Sequence, residues 1–130
     1  MATFLSSAWL QELDVAARAS DSLAALGSDG RLVIEQRVDG ARSGDVVYHF
    51  VIDTDGARVV AGTAEHPALT VTADYATAVA LHTGRLNAQQ ALASGSLTLG
   101  GDLNEVLRRA DALQALDDVF TAVRASTTVG

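Results

Sequence analysis

The sequence predicts an α+β domain: a mostly antiparallel five-stranded sheet with helices packed on one face. Two observations predict it. Strand-like runs, alternating or continuously apolar and broken by turn-rich segments, fill residues 31–73, whereas runs with apolar residues three and four apart lie before and after them. The resulting order is helix, antiparallel strands, helices, one further strand and a long closing helix, which segregates helices from sheet. At 130 residues the chain makes a single domain, 1–130, with residues 1–3 and 125–130 expected to fray.

Phe4 to Ala19 reads as an amphipathic helix. Phe4, Leu5, Ala8, Trp9, Leu13, Ala16 and Ala17 recur at helical spacing, and Ser6 or Ser7 is placed to cap it. Trp9 is expected to anchor the core rather than to stack on a ligand. Asp21 caps a shorter helix, Ser22 to Leu26, ended by Gly27. Arg31 to Val38 then sets Leu32, Ile34 and Val38 on one face of a strand, with Val33, Glu35 and Arg37 on the other. Asp39 to Asp45 is rich in turn residues and predicts a hairpin with a slightly long loop. Val46 to Ile52 is apolar at nearly every position, as suits a central strand covered on both faces. Asp53-Thr54-Asp55-Gly56 turns into a third strand, Arg58 to Ala64. Glu65-His66-Pro67 leads to a fourth, in which Leu69, Val71 and Ala73 oppose Thr70 and Thr72.

The next stretch is dense in punctuation. Asp74 caps a helix over Tyr75 to His82, and Gly84 follows where a left-handed residue ends a helix. Asn87 caps a short helix, Ala88 to Ser94, which Gly95 closes in the same way. Leu97 and Leu99 alternate with Ser96 and Thr98 as in a short half-buried strand, and Gly100-Gly101 is expected to break it. Asp102 with Glu105 resembles a capping box opening the last helix, Leu103 to about Arg124. Its apolar stripe is Leu103, Val106, Leu107, Ala110, Leu113, Leu116, Phe120 and Val123. At this length the helix spans roughly 30 Å, enough to cross the sheet.

Composition excludes several functions. The net charge is −7 and the isoelectric point near 4.6. The nine basic residues, all arginine, are scattered, with Arg108-Arg109 the only adjacent pair. That balance argues against nucleic acid and against adsorption to anionic lipid surfaces, leaving at most transient membrane contact. With no cysteine there is no disulfide framework and no thiolate nucleophile. No apolar run is long enough to cross a bilayer and no signal peptide is evident, so a cytoplasmic protein is expected. Hydrophobic residues make up 48% and the mean hydropathy is +0.21, an apolar excess of the kind that can line an internal cavity.

Groups for catalysis are thin. His49 and Tyr48 are strand neighbours and point to opposite faces. His66 falls in a turn, and His82 lies at a helix end, where an imidazole interacts favourably with the helix dipole. No two histidines have ligand spacing on one element, so no metal is expected. Asp53 and Asp55 with Gly56 are explained by a hairpin turn, and the glycines at 95, 100 and 101 by structural turns, since a phosphate loop would need a lysine the chain lacks. No cofactor and no enzyme activity are expected.

Thr83-Gly84-Arg85-Leu86, Gln90-Ala91-Leu92-Ala93-Ser94-Gly95 and Gly101-Asp102-Leu103, preceded by the run Ala68 to Tyr75, resemble the C-terminal half of the sterol carrier protein type two (non-specific lipid-transfer) family. The resemblance implies a hydrophobic tunnel between sheet and helices, and a last strand lying beside the first in the sheet. It implies tunnel contacts from Tyr75, Val79, Leu86, Leu92, Leu97, Leu99, Leu103, Leu107 and Ala110. These residues can equally fill a solid core, and both arrangements remain open at this point. The expected function is a non-catalytic carrier of a lipid-like small molecule: a fatty acid, a fatty acyl thioester or a sterol-like polycycle. The alternative is an accessory module with a filled core that docks to an enzyme or forms a homodimer. The acidic balance and the absence of a peroxisomal C-terminal tripeptide point to a stand-alone bacterial form rather than to organelle-based sterol traffic.

Overall fold

The computed structural model of the protein describes residues 2–27, 30–41, 44–101, 110–124 and 127–128. Strand β1 (Ala2–Thr3) leads into helices α1 (Ser7–Arg18) and α2 (Asp21–Gly27). Strands β2 (Leu32–Ala41), β3 (Gly44–Asp53), β4 (Gly56–Ala61) and β5 (Leu69–Asp74) follow. Then come helices α3 (Tyr75–Thr83) and α4 (Ala88–Ser94), strand β6 (Leu97–Gly101), helix α5 (Ala110–Arg124) and strand β7 (Thr127–Thr128).

Five strands form one sheet in the order β4-β3-β2-β5-β6. Only β2 and β5 run parallel, so the sheet is mostly antiparallel as the patterning predicts. Within this sheet the last strand, β6, does not lie beside the first, β2. The β3 ribbon occupies one edge of β2, the next strand in the chain, β5, takes the other, and β6 is left to pair with the outer edge of β5. Alternation fixes which side faces the helices. Ile34 stands opposite Phe50 and Leu69, and Gln36 opposite Tyr48 and Val71, all buried on the helix side. Helices α1 and α2 pack on the β3–β4 half and α3 on β2 and β5, while α5 crosses α1, α2 and α3.

Short-range chemistry sets the helix starts. The Ser6 hydroxyl accepts from the Trp9 N–H, and Trp9, Leu13 and Ala17 form the buried stripe of α1. Phe4 and Leu5 precede the helix instead of belonging to it, because Leu5 takes a left-handed φ of +67°; both are still buried. From the same helix, the Asp14 carboxylate accepts the Val59 N–H of edge strand β4 at 2.8 Å, which blunts an otherwise open edge.

Three further expectations are corrected. The first hairpin is tighter than the composition suggests, since β2 and β3 continue to an Ala41–Gly44 pair after an irregularity between Val38 and Ala41. Strand β3 is helix-covered on one face only, leaving Val47 and His49 half-buried on the other. Gly100 and Gly101 do not break β6 but pair with Thr70 and Leu69; Gly101 ends it, lying so near the Ala68 carbonyl that a Cβ would stand 2.5 Å from the oxygen. Ala2–Thr3 and Thr127–Thr128 form a parallel pair as β1 and β7, and residues 1, 125–126 and 129–130 lie outside the described residues.

Gly27 closes α2 directly against the turn after β3, and a Cβ there would overlap the Asp53 carbonyl oxygen. Backbone cannot step aside as a side chain can. Gly27→Ala is therefore expected to lower stability by about 1–3 kcal/mol, read as a shift of the urea midpoint. An unmoved midpoint would contradict this packing.

Candidate functional site

The space between sheet and helices is organised by α3. Its first turn is held by Asp74, whose carboxylate accepts the Thr77 N–H at 2.7 Å, a bond that also holds this carboxyl below its ordinary range. Gly84, at φ +79°, closes the helix. Between the caps, Tyr75, Ala78, Val79 and His82 fall at helical spacing on the inward stripe, and His82 is only 2% exposed. Its ring stacks on Phe4 with centroids 4.8 Å apart and meets Trp9 and Phe120 edge-on at 5.7 and 6.3 Å. Trp9, fully buried, also meets Phe4 edge-on at 4.9 Å and Tyr48 at 5.7 Å. The start of the chain, the sheet, α3 and α5 thus each bring aromatic rings to one point.

A cavity of about 30 Å³ opens at this point, bounded by Phe4, Gln36, Val38, Tyr48, Ala73, Ala78, Leu81, His82, Leu97 and Phe120, with Arg37 at its rim. That is space for about one water molecule. Among the described residues, four buried side-chain atoms have no hydrogen-bond partner: Trp9 Nε1, both His82 ring nitrogens and Glu12 Oε2. Three of the four belong to this cluster. Such atoms are costly in a folded core and call for an explanation.

The cluster is electrically neutral. Burial, with the nearby Arg124 charge, pushes the His82 imidazole down to about 4. Burial pushes the Tyr48 phenol up. At neutral pH neither is ionised. The helix-end charge expected to favour a protonated His82 is overridden because the ring points inward to the core, not out to solvent. Arg124 of α5 does address the end of α3: its Nε donates to the His82 carbonyl oxygen at 2.8 Å, and its guanidinium lies over Gly84. This contact ties α5 to α3 beside the cavity.

The residues expected to line a tunnel are only partly brought together. Leu97 bounds the cavity, while Tyr75, Val79, Leu86 and Leu99 pack around the core without bounding it. Leu92 is 40% exposed, because the inward position of the short α4 is taken by the fully buried Ala91. Leu103 and Leu107 lie outside the described residues, and of Ala110 only its place at the start of α5 is described. Sequence reasoning missed Phe4, Tyr48, Ala78, Leu81, His82 and Phe120 as site residues. The signal for His82 was available, since it continues the Tyr75–Ala78–Val79 stripe.

On the opposite face of the sheet a wider, solvent-open depression of about 510 Å³ is lined by Arg31, His49, Glu65 and His66 among others. Glu35 lies buried beside it; desolvation raises its carboxyl, but the Ala64 N–H and Arg37 outweigh this and hold it below its ordinary value. His49 Nδ1 sits 2.9 Å from the Gly62 carbonyl oxygen, on the face away from Tyr48 as alternation requires. Open to solvent and lined by charged and polar side chains as well as Val33 and Val51, this depression does not enclose an apolar ligand.

The sequence profile of the SCP-2 sterol transfer family matches residues 13–114. The chain belongs to that family. No curated protein sequence matches the chain. Solved structures share the fold over most of its length. The solution structure of a conserved hypothetical protein from Thermus thermophilus is 24% identical, with a TM-score of 0.72 over 95% of this chain and 91% of that one. A crystal structure of sterol carrier protein 2 is 23% identical, with a TM-score of 0.70 over 93% and 97%. Palmitated SCP2L2 from Aedes aegypti is 21% identical, with a TM-score of 0.54 over 79% and 92%. Membership of the SCP-2 family associates the domain with lipid binding and transfer in general. No helix among the described residues is long and apolar enough to cross a membrane.

Proposed function

We propose that this SCP-2 domain is a non-catalytic carrier that takes a lipid-like apolar molecule into the space between sheet and helices. The observation that carries the reading is the aromatic cavity itself, where both ring nitrogens of His82 stand without partners in a mostly apolar wall, with the equally unpartnered indole N–H of Trp9 in the ring cluster beside it. Binding sites of this kind are concave, mostly apolar and furnished with a few placed polar groups. Fatty acids, fatty acyl thioesters and steroids are the candidate ligands, and the palmitated Aedes aegypti relative supports the first. Burying an acyl chain contributes about 0.8 kcal/mol per methylene, so a chain with ten buried methylenes reaches micromolar affinity or better before the cost of opening the core.

The empty protein is the closed form in this reading. Phe4 and Phe120 occupy volume that a ligand would take, and α3 and α5 separate around the Arg124 contact to admit it. Tyr75, Val79, Leu86, Leu97 and Leu99 then join the wall of the opened cavity, with Leu103, Leu107 and Ala110 proposed to continue it. A second reading, a filled-core module that docks to an enzyme or to a second copy, is favoured by the water-sized volume of the cavity. Thermal melts with added fatty acids and steroids separate the two. Ligand at a hundred times its Kd stabilises the folded state by about 2.7 kcal/mol, and a carrier is expected to show the corresponding rise in Tm. A Tm unmoved by every lipid tested favours the docking module.

A further inference from the structure

We propose that His82 reads the head group of the ligand, so that the cavity selects a lipid ending in an uncharged hydroxyl over the ionised carboxylate of equal chain length; this rests on the carrier reading above. Both ring nitrogens of His82 are buried and lack a partner among the described residues, and the ring borders the cavity. The indole N–H of Trp9, whose ring centroid is 5.7 Å away, is equally unpartnered. A neutral imidazole presents one donor and one acceptor, and an indole presents a donor alone. A hydroxyl answers that set: its proton goes to the imidazole acceptor while its lone pairs take an N–H. A carboxylate only accepts, leaving the imidazole acceptor unserved, and it carries a charge into a wall of Phe4, Tyr48, Leu81, Leu97 and Phe120 in which Gln36 is an uncharged amide. Two guanidiniums lie beside the cavity and both are engaged elsewhere: Arg37, at its rim, donates through Nε to Glu35, and Arg124 donates through Nε to the His82 carbonyl and through Nη2 to Thr121.

The test is displacement of a pyrene-labelled alkyl probe at neutral pH by cetyl alcohol, palmitate and hexadecane, from the native protein and from His82→Phe. The native protein is expected to bind the alcohol roughly tenfold tighter than the alkane, the yield of one to two buried hydrogen bonds, and tighter than palmitate. His82→Phe should keep hexadecane binding and lose the preference. Equal affinities for alcohol and alkane, palmitate outcompeting the alcohol, or a preference that survives His82→Phe would each overturn the assignment. Equal affinities would mean that the nitrogens are served by a water only. A native protein that binds neither probe nor any lipid would instead defeat the carrier reading. If His82→Phe does not fold, the imidazole nitrogen resonances of the native protein decide. They should move with cetyl alcohol and not with hexadecane, and identical responses would overturn the proposal.

Discussion

Phe4→Ala will destabilise the ligand-free protein by about 3 kcal/mol, the low end for a buried phenylalanine, and will strengthen binding of an acyl chain. Phe4 borders the cavity and stacks on His82 at 4.8 Å, with its edge toward Trp9 at 4.9 Å. It sits before α1, next to Leu5 with its left-handed backbone, not within a helix. Removing the ring leaves a void that Trp9, Tyr48 and Phe120 cannot collapse into, because the sheet and two helices hold them from other sides. The empty state therefore loses packing, and a ligand no longer has to expel the ring. Chemical denaturation reads the first effect and titration with a fluorescent fatty acid the second. Lower stability with weaker binding would show that Phe4 is part of the bound wall, not a plug.

Acid will destabilise the fold in a window set by His82. An unfolded imidazole protonates near 6.5, whereas the folded one resists down to about 4. As pH falls from 6.5 to 4 the unfolded state takes up a proton that the folded state refuses, so stability falls with pH throughout this interval and levels off below it. The loss amounts to roughly 3 kcal/mol by linkage. Asp74 and Glu35 behave differently: their lowered carboxyls give stability that is present above the ordinary carboxylate range and lost as pH falls through their folded values. Stability measured by urea between pH 7 and pH 4 should slope in the native protein and flatten in His82→Phe. An equal slope in both would place the titrating group elsewhere.

The segment from Asp74 to Gly95 was legible almost to the residue. Asp74, Asn87 and Gln90 act on backbone N–H groups three positions away, and Gly84 and Gly95 both adopt φ +79°. These are local interactions, which a sequence states directly. Sheet order was not local: whether β5 or β6 lies beside β2 depends on which edge is still vacant when each strand arrives. The helical spacing of Phe4 and Leu5 predicts a start to α1 three residues before the observed one; they are buried for a tertiary reason, as cover for Trp9 and His82. The candidate site was least legible. Residues from five separate elements build it, and nothing in the neighbourhood of Tyr48 or Phe120 along the chain says that they meet. Its position at a helix end predicts a dipole-favoured imidazole for His82, whereas its place on the inward stripe sets its burial.

Native mass spectrometry of the purified protein, followed by solvent extraction of what leaves it on denaturation, tests carrier function most directly. A co-purifying lipid, or a one-to-one complex with an added fatty acid or steroid, is the expected result. A protein that stays at its apo mass and takes up none of these lipids would contradict carrier function and leave the filled-core docking module in its place.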